Sequence, residues 1–172
     1  ISWMTTLEEK PRDFPKCVPF WGEANKGMLC TPENVKGKEY LNLIGSVQPI
    51  IEVDQSSQLC SYFGWNEEPQ VSQVVYHLGT VVIHYKHEER PRFSLLVKEI
   101  YEFLSYKNRG DVVEAIQDLK DPGWIWNGDG FSPPNALLLN DHSIDLSPYI
   151  SVLPSEMSMY FDLFDSFGIN KE

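Results

Sequence analysis

The sequence has little of what usually betrays a chemistry. Cysteine is scarce: Cys17, Cys30 and Cys60 form no Cys-x-x-Cys pair. An odd set without close spacing argues against a disulfide framework or a zinc knuckle and suits a reducing compartment. There is no run of about 18 apolar residues, no signal peptide and no lipidation motif, so membrane insertion is not expected. Positive charge is also short. With a formal net charge of −11, the chain would repel a nucleic-acid backbone unless it carried a strong local basic patch. The densest basic run, Lys86-His87-Glu88-Glu89-Arg90-Pro91-Arg92, is interrupted by two glutamates and reads as a solvated loop.

Reaction motifs are lacking too. Asn127-Gly128-Asp129-Gly130 has neither the Lys-Ser/Thr of a phosphate-binding loop nor the spaced acids and closing Glu of an EF-hand, and a hairpin turn explains it better. His77, His84 and His87 fall at helical spacing without Cys or carboxylate partners at ligand spacing, and are read as helix surface or cap. His142 sits between Asp141 and Ser143, but a triad needs side chains converging from separate elements, and no Gly-x-Ser-x-Gly elbow is present. Asp111 and Glu114 suit a helix N-terminus, where acids favour the dipole. No catalytic, cofactor-binding or metal residue is assigned, no cofactor is expected, and the chain is expected not to be an enzyme. It begins at Ile1, not Met, and is expected to be a piece of a longer protein.

What is present is apolar and aromatic. Hydrophobic residues make up 42% and aromatics 13% of 172 residues, enough to build a core. Between residues 71 and 85, Val71, Val74, Val75, Leu78, Val81, Val82 and Tyr85 recur at three and four, the period of one helix face. A second helix is expected over 92–107 on Leu95, Leu96, Ile100, Phe103 and Leu104. A third, capped by Gly110-Asp111, carries Val112, Val113, Ile116 and Leu119. A last helix opens at Pro154-Ser155-Glu156, carries Met157, Tyr160, Phe161, Phe164 and Phe167, and closes at Gly168.

The chain also repeats itself. Trp21 and Trp126 stand 105 positions apart, Asn34 and Asn135 stand 101 apart, and Phe63-Gly64-Trp65-Asn66 precedes Phe167-Gly168-Ile169-Asn170 by 104. Each copy reads as an aromatic-Trp strand, a turn, Ser/Thr-Pro-x-Asn, an apolar segment and a helix stopped by Phe-Gly. In the second copy the apolar run 136–139 is taken as the return from the turn. Duplication has to be weighed before a fold is assigned. The expected fold is α+β: two similar units of β-hairpin plus helix, residues 1–66 and 121–172, flank about three antiparallel helices over 67–120, all in one compact region.

Trp124-Ile125-Trp126-Asn127-Gly128-Asp129-Gly130-Phe131, Ser132-Pro133-Pro134-Asn135, Asp145-Leu146-Ser147-Pro148-Tyr149, Leu153-Pro154 and Phe167-Gly168 together resemble the recurring segment of the sacsin family, as do Phe63-Gly64-Trp65-Asn66 and Pro69. The resemblance runs over essentially the whole chain. It implies a very large cytoplasmic protein whose repeats each begin with an Hsp90-type ATP-binding domain, with a ubiquitin-like domain, a J domain that would recruit Hsp70, and a HEPN domain. The implied role is a chaperone or co-chaperone scaffold linked to protein quality control, intermediate filaments and mitochondrial organisation. Asp129-Gly130-Phe131 departs from the Asp-x-Gly-x-Gly box of those ATPases, so no nucleotide residue carries over. The expectation is a non-enzymatic structural or interaction segment following the ATP-binding domain. Its partners would be neighbouring domains of the parent chain and, through the parent, client proteins and Hsp70. The alternatives are a passive spacer, or a hydrolase built on Asp129, Asp141 and His142.

Overall fold

The tryptophan-headed stretches form paired strands of two residues each. The computed structural model describes residues 20–21, 29–52, 58–119, 123–139 and 151–169. Helices and small sheets alternate along it, an α+β composition. By its contacts the chain divides into two units, Ile1–Pro69 and Gln70–Glu172. The helices expected over 67–120 fall in the second of these, with the second Trp stretch.

In the first unit, β1 (Phe20–Trp21) pairs antiparallel with β2 (Leu29–Cys30), Trp21 opposite Leu29. A 3-10 turn, Pro32–Asn34, follows. Pro suits its start because a missing N–H there leaves no bond unmade. β3 (Lys36–Gly37) then pairs parallel with β4 (Ile50–Ile51). Parallel pairing needs a crossover, here a 3-10 turn, Lys38–Tyr40, running into α1 (Leu41–Ile44). α2 (Gln58–Phe63) ends at Gly64, whose φ is 70°. Leu59, Cys60 and Phe63 pack on Val35, Ile51 and Trp65 to make the core. Lys36 Nζ donates to the carbonyls of Gly64 (2.9 Å) and Glu67 (3.0 Å). A cation is well placed where a helix leaves its last carbonyls open. The caps expected at Ser56 or Ser57 lie outside the described residues.

The second unit opens with α3 (Val71–Ile83), held at its start by reciprocal bonds between Gln70 and Gln73. Val74, Val75, Leu78 and Val81 are buried along it, as their spacing requires. α4 (Arg90–Ser105) starts two residues earlier than expected. Pro91 is accommodated in its first turn, where it breaks no helical hydrogen bond. Its buried face is Val97, Ile100, Tyr101 and Leu104, and Leu95 is exposed, so the face is rotated from the expected one. α5 (Arg109–Ile116) is capped by Asn108, not by Gly110-Asp111. The Asn108 Oδ1 accepts from the amides of Gly110 (2.8 Å) and Asp111 (3.3 Å). Asn is a strong cap because its side chain fills an open N–H position. α3 packs against both α4 and α5.

β5 (Ile125–Trp126) pairs antiparallel with β6 (Phe131–Ser132). The return strand is therefore 131–132, not the apolar run 136–139. Asn127 explains the tightness of the turn. Its Oδ1 accepts from the amides of Asp129 (2.9 Å) and Gly130 (2.8 Å), and its Nδ2 donates to Ser132 Oγ (2.8 Å). A side chain that mimics a backbone turn lets the chain reverse early. After a 3-10 turn, Pro134–Ala136, β7 (Leu137–Leu138) pairs parallel with β8 (Ser151–Val152). The end is a 3-10 stretch, Ser155–Tyr160, leading into α6 (Phe161–Asp165), with Gly168 beyond at φ 85°. Met157, Tyr160, Leu163 and Phe164 are buried. Glu156 accepts from Lys98 Nζ (3.0 Å) and Ser94 Oγ (3.1 Å). The Lys98 hydrogen bond holds its carboxyl below the ordinary range.

Antiparallel pair, 3-10 turn, parallel pair, helix and left-handed glycine thus occur twice in the same order. Lys36 and Leu137 begin corresponding strands, as do Ile50 and Ser151, and both pairs are 101 residues apart.

Candidate functional site

Tyr101 organises the second unit. Its ring is fully buried and meets Trp124 (6.1 Å between centroids), Tyr160 (5.8 Å) and Phe164 (5.1 Å) edge to face. Edge-to-face contact sets the positive ring edge on a negative ring face. Its hydroxyl donates to the Trp124 carbonyl at 2.6 Å and accepts from the Trp126 amide at 2.9 Å. Burial pushes this phenol far up, the Trp126 hydrogen bond opposing only in part. Trp124 is thereby fixed with its ring on Phe167 at 5.1 Å.

Outside that ring pair runs a groove of about 490 Å³. α5 gives one wall through Val113 and Ile116, continued by Gln117 just past its end. Pro133, Pro134 and Asn135 give a second, and Ser166 and Phe167 a third. Arg109 ties two of these walls together. Its guanidinium donates to the carbonyls of Asp162 and Leu163 and to Ser166 Oγ at the end of α6. Gly123, at φ 72°, lies flat on the backbone of Ser132 and Pro133; a Cβ there would stand 2.3 Å from Ser132 C. No described lining residue is ionisable. The groove can hold an apolar or aromatic group and offer it amide and hydroxyl contacts.

Among the described residues, the candidates read from the sequence do not assemble into one site. The Asn127–Gly130 turn spends the amides of Asp129 and Gly130 on Asn127, leaving neither for a phosphate. The Asp129 carboxylate is exposed beside His87 Nδ1 (3.4 Å) and an Arg90 guanidinium nitrogen (3.6 Å). His77 is buried in α3, contrary to the surface expectation. His84 caps α3 and sets its Nδ1 2.8 Å from the Thr80 carbonyl. His77 and His84 line one small cavity of about 160 Å³, and His87 lies apart from it. Among the described residues, no three His, Cys, Asp or Glu converge as for a metal, and no helix is long and apolar enough to cross a membrane. Asp111 lies in the first turn of α5. Asp141, His142 and Ser143 lie outside the described residues. The sequence reading missed the groove. Its signal was the second Ser-Pro-x-Asn copy, whose two prolines form a wall.

Compared with known proteins, the whole chain aligns with human sacsin, 29% identical over 179 aligned positions. Along its whole length it is similar to a segment of sacsin. The alignment takes in 100% of this chain and 4% of the length of human sacsin, so the sacsin-like chain corresponds to a small part of that relative. No family model matches it. No solved structure matches it.

Proposed function

We propose that this sacsin-like chain is a non-enzymatic structural and interaction segment of a large chaperone-like scaffold linked to Hsp90-type and Hsp70 machinery. In this reading it follows an ATP-binding domain, couples that domain to the rest of its repeat, and offers a surface to client proteins in the cytoplasm. The groove carries the reading: Trp124, Pro133 and Phe167 border an opening with no described ionisable group, which suits contact and not turnover. The similarity to sacsin over the full chain supports the scaffold context. The two copied element orders are proposed to be one building block used twice, before and after α3 to α5 in the sequence. The links to intermediate filaments and mitochondria belong to the parent protein in this reading.

The test compares ATP turnover of the preceding ATP-binding domain alone and joined to this chain, alongside binding of an unfolded client. A change in turnover or saturable client binding supports the proposal. Unchanged turnover with no client binding favours the passive spacer. Hydrolysis of a model ester by the chain, lost in Asp129→Asn, would support the hydrolase.

A further inference from the structure

Asn127-Gly128 is the one Asn-Gly pair in the sequence, and Asp129-Gly130 follows it at once. An asparagine before glycine is prone to ring closure, because glycine puts no side chain beside the attacking amide nitrogen. The turn needs glycine at this place: Gly128 has a φ of 94°, which other residues rarely adopt. The hairpin therefore carries a reactive pair as a condition of its shape. The fold holds both ends of the Asn127 side-chain amide. Its Oδ1 accepts from the amides of Asp129 (2.9 Å) and Gly130 (2.8 Å). Its Nδ2 donates to Ser132 Oγ (2.8 Å), and Ser132 is buried. The Asn127 backbone amide donates to the Gly130 carbonyl at 3.0 Å.

We propose that Asn127 is a deamidation site gated by the β5–β6 hairpin, shielded while the turn is closed and reactive when it opens. In the reaction the Gly128 nitrogen gives up its proton and attacks Asn127 Cγ. The N–Cγ bond forms, the Cγ–Nδ2 bond breaks, and Nδ2 leaves as ammonia with that proton. Water then opens the cyclic imide at either carbonyl and leaves an aspartate or an isoaspartate at position 127; nothing is oxidised or reduced. To close the ring the side chain must first leave Asp129, Gly130 and Ser132. Giving up three hydrogen bonds slows the step at least about tenfold in the folded chain. The two products differ in consequence. Aspartate keeps an oxygen for the amides of Asp129 and Gly130, and the Ser132 hydroxyl can turn to donate to it. Isoaspartate runs the main chain through the former side chain, which adds a methylene to the turn and removes the acceptor. Tyr85 donates its hydroxyl to the Asp129 carbonyl and sets its ring on Trp126 at 5.4 Å, and the lengthened turn breaks that seat. The site thus keeps a permanent mark of hairpin opening. It lies apart from the groove and stands or falls independently of the interaction reading.

The test incubates the folded 172-residue chain, and the same chain in urea, at neutral pH. Digestion and mass spectrometry follow the gain of about one dalton at Asn127, and an isoaspartyl methyltransferase counts the isoaspartate. Deamidation at least about tenfold slower in the folded chain is expected. Ser132→Ala, which removes the Nδ2 acceptor, should raise the folded rate about threefold to tenfold and leave the rate in urea unchanged. Trp65→Phe, in the other unit, should leave both rates as they are. Should Ser132→Ala unfold the chain, Tyr85→Phe, which frees the Asp129 carbonyl, takes its place with the same expectation. The isoaspartate form should lose the Tyr85–Trp126 ring contact seen by NMR, and the aspartate form should keep it. Equal rates in the folded chain and in urea, or a folded rate unmoved by both turn variants, would overturn the gating. Isoaspartate arising without the mass gain would place the ring closure at Asp129 and overturn the assignment. An isoaspartate form with the Tyr85–Trp126 contact intact would overturn the mark.

Discussion

The Tyr101 hydroxyl accepts a hydrogen bond from the Trp126 amide at 2.9 Å, so a helix side chain closes the strand edge that β6 leaves unpaired. The same hydroxyl donates to the Trp124 carbonyl. Buried backbone polar groups must find partners, and a sheet of two short strands cannot supply them on both edges. One phenol on α4 does so for β5, and fixes the Trp124 ring at the edge of the groove.

Tyr101→Phe keeps the ring contacts and removes both bonds. The Trp124 carbonyl and Trp126 amide would be left buried and unpaired, each costing about 1–3 kcal/mol. The expected loss is about 2–6 kcal/mol, measured by urea unfolding. A change below about 0.5 kcal/mol would mean that water or another group replaces the hydroxyl.

Alkaline pH should act through the same group. The folded-state pKa of Tyr101 is raised above its ordinary value near 10 by burial, so the protonated phenol is favoured in the fold. Its contribution is complete below pH 10 and declines as the unfolded chain ionises above it, by up to about 1.4 kcal/mol per pH unit. Unfolding free energies taken from pH 9 upward should fall, and Tyr101→Phe should flatten that fall. An equal slope in both proteins would assign the titration to other tyrosines.

Gly123→Ala should destabilise by about 2–4 kcal/mol. Positive φ costs a side-chain-bearing residue about 1–3 kcal/mol, and the new Cβ would press on the Ser132 and Pro133 backbone. Shifts in the amide signals of Ser132 and Asn135 would locate the damage at the Pro wall. An unaltered melting temperature would show that this approach is loose.

Trp65→Phe preserves a ring beside Phe63 but deletes the Nε1 donor to Pro32. A loss of about 1–3 kcal/mol is expected. Faster hydrogen exchange at the Gly37 amide, which donates to the Trp65 carbonyl at 2.9 Å, would report it. Exchange rates equal to the parent's would mean that packing alone holds this residue.

How far the sequence reached depended on the range of the forces involved. α3 was legible because one side faces a core throughout its length, so Val74, Val75, Leu78 and Val81 repeat at the helical period. The hairpin was legible because Asn127 and its glycines encode a local turn. The start of α4 was misplaced because its first turn, Arg90-Pro91-Arg92, lies inside a charged run that reads as a loop, although proline is favoured in a first turn. The pairing of Leu137–Leu138 with Ser151–Val152 was not legible, since two-residue strands are too short to show alternation.

The amino-acid order alone determined the buried face of α3, the doubled Trp and Phe-Gly landmarks, and the lack of recognisable reaction motifs. These rest on local backbone preference and on burial patterns within a few residues. Tertiary structure alone decided that Tyr101 serves backbone groups 23 and 25 positions away, and that walls from three separate segments meet around Trp124. Hydrogen bonds and grooves of that kind exist only after distant segments have packed, so no window of the sequence contains them.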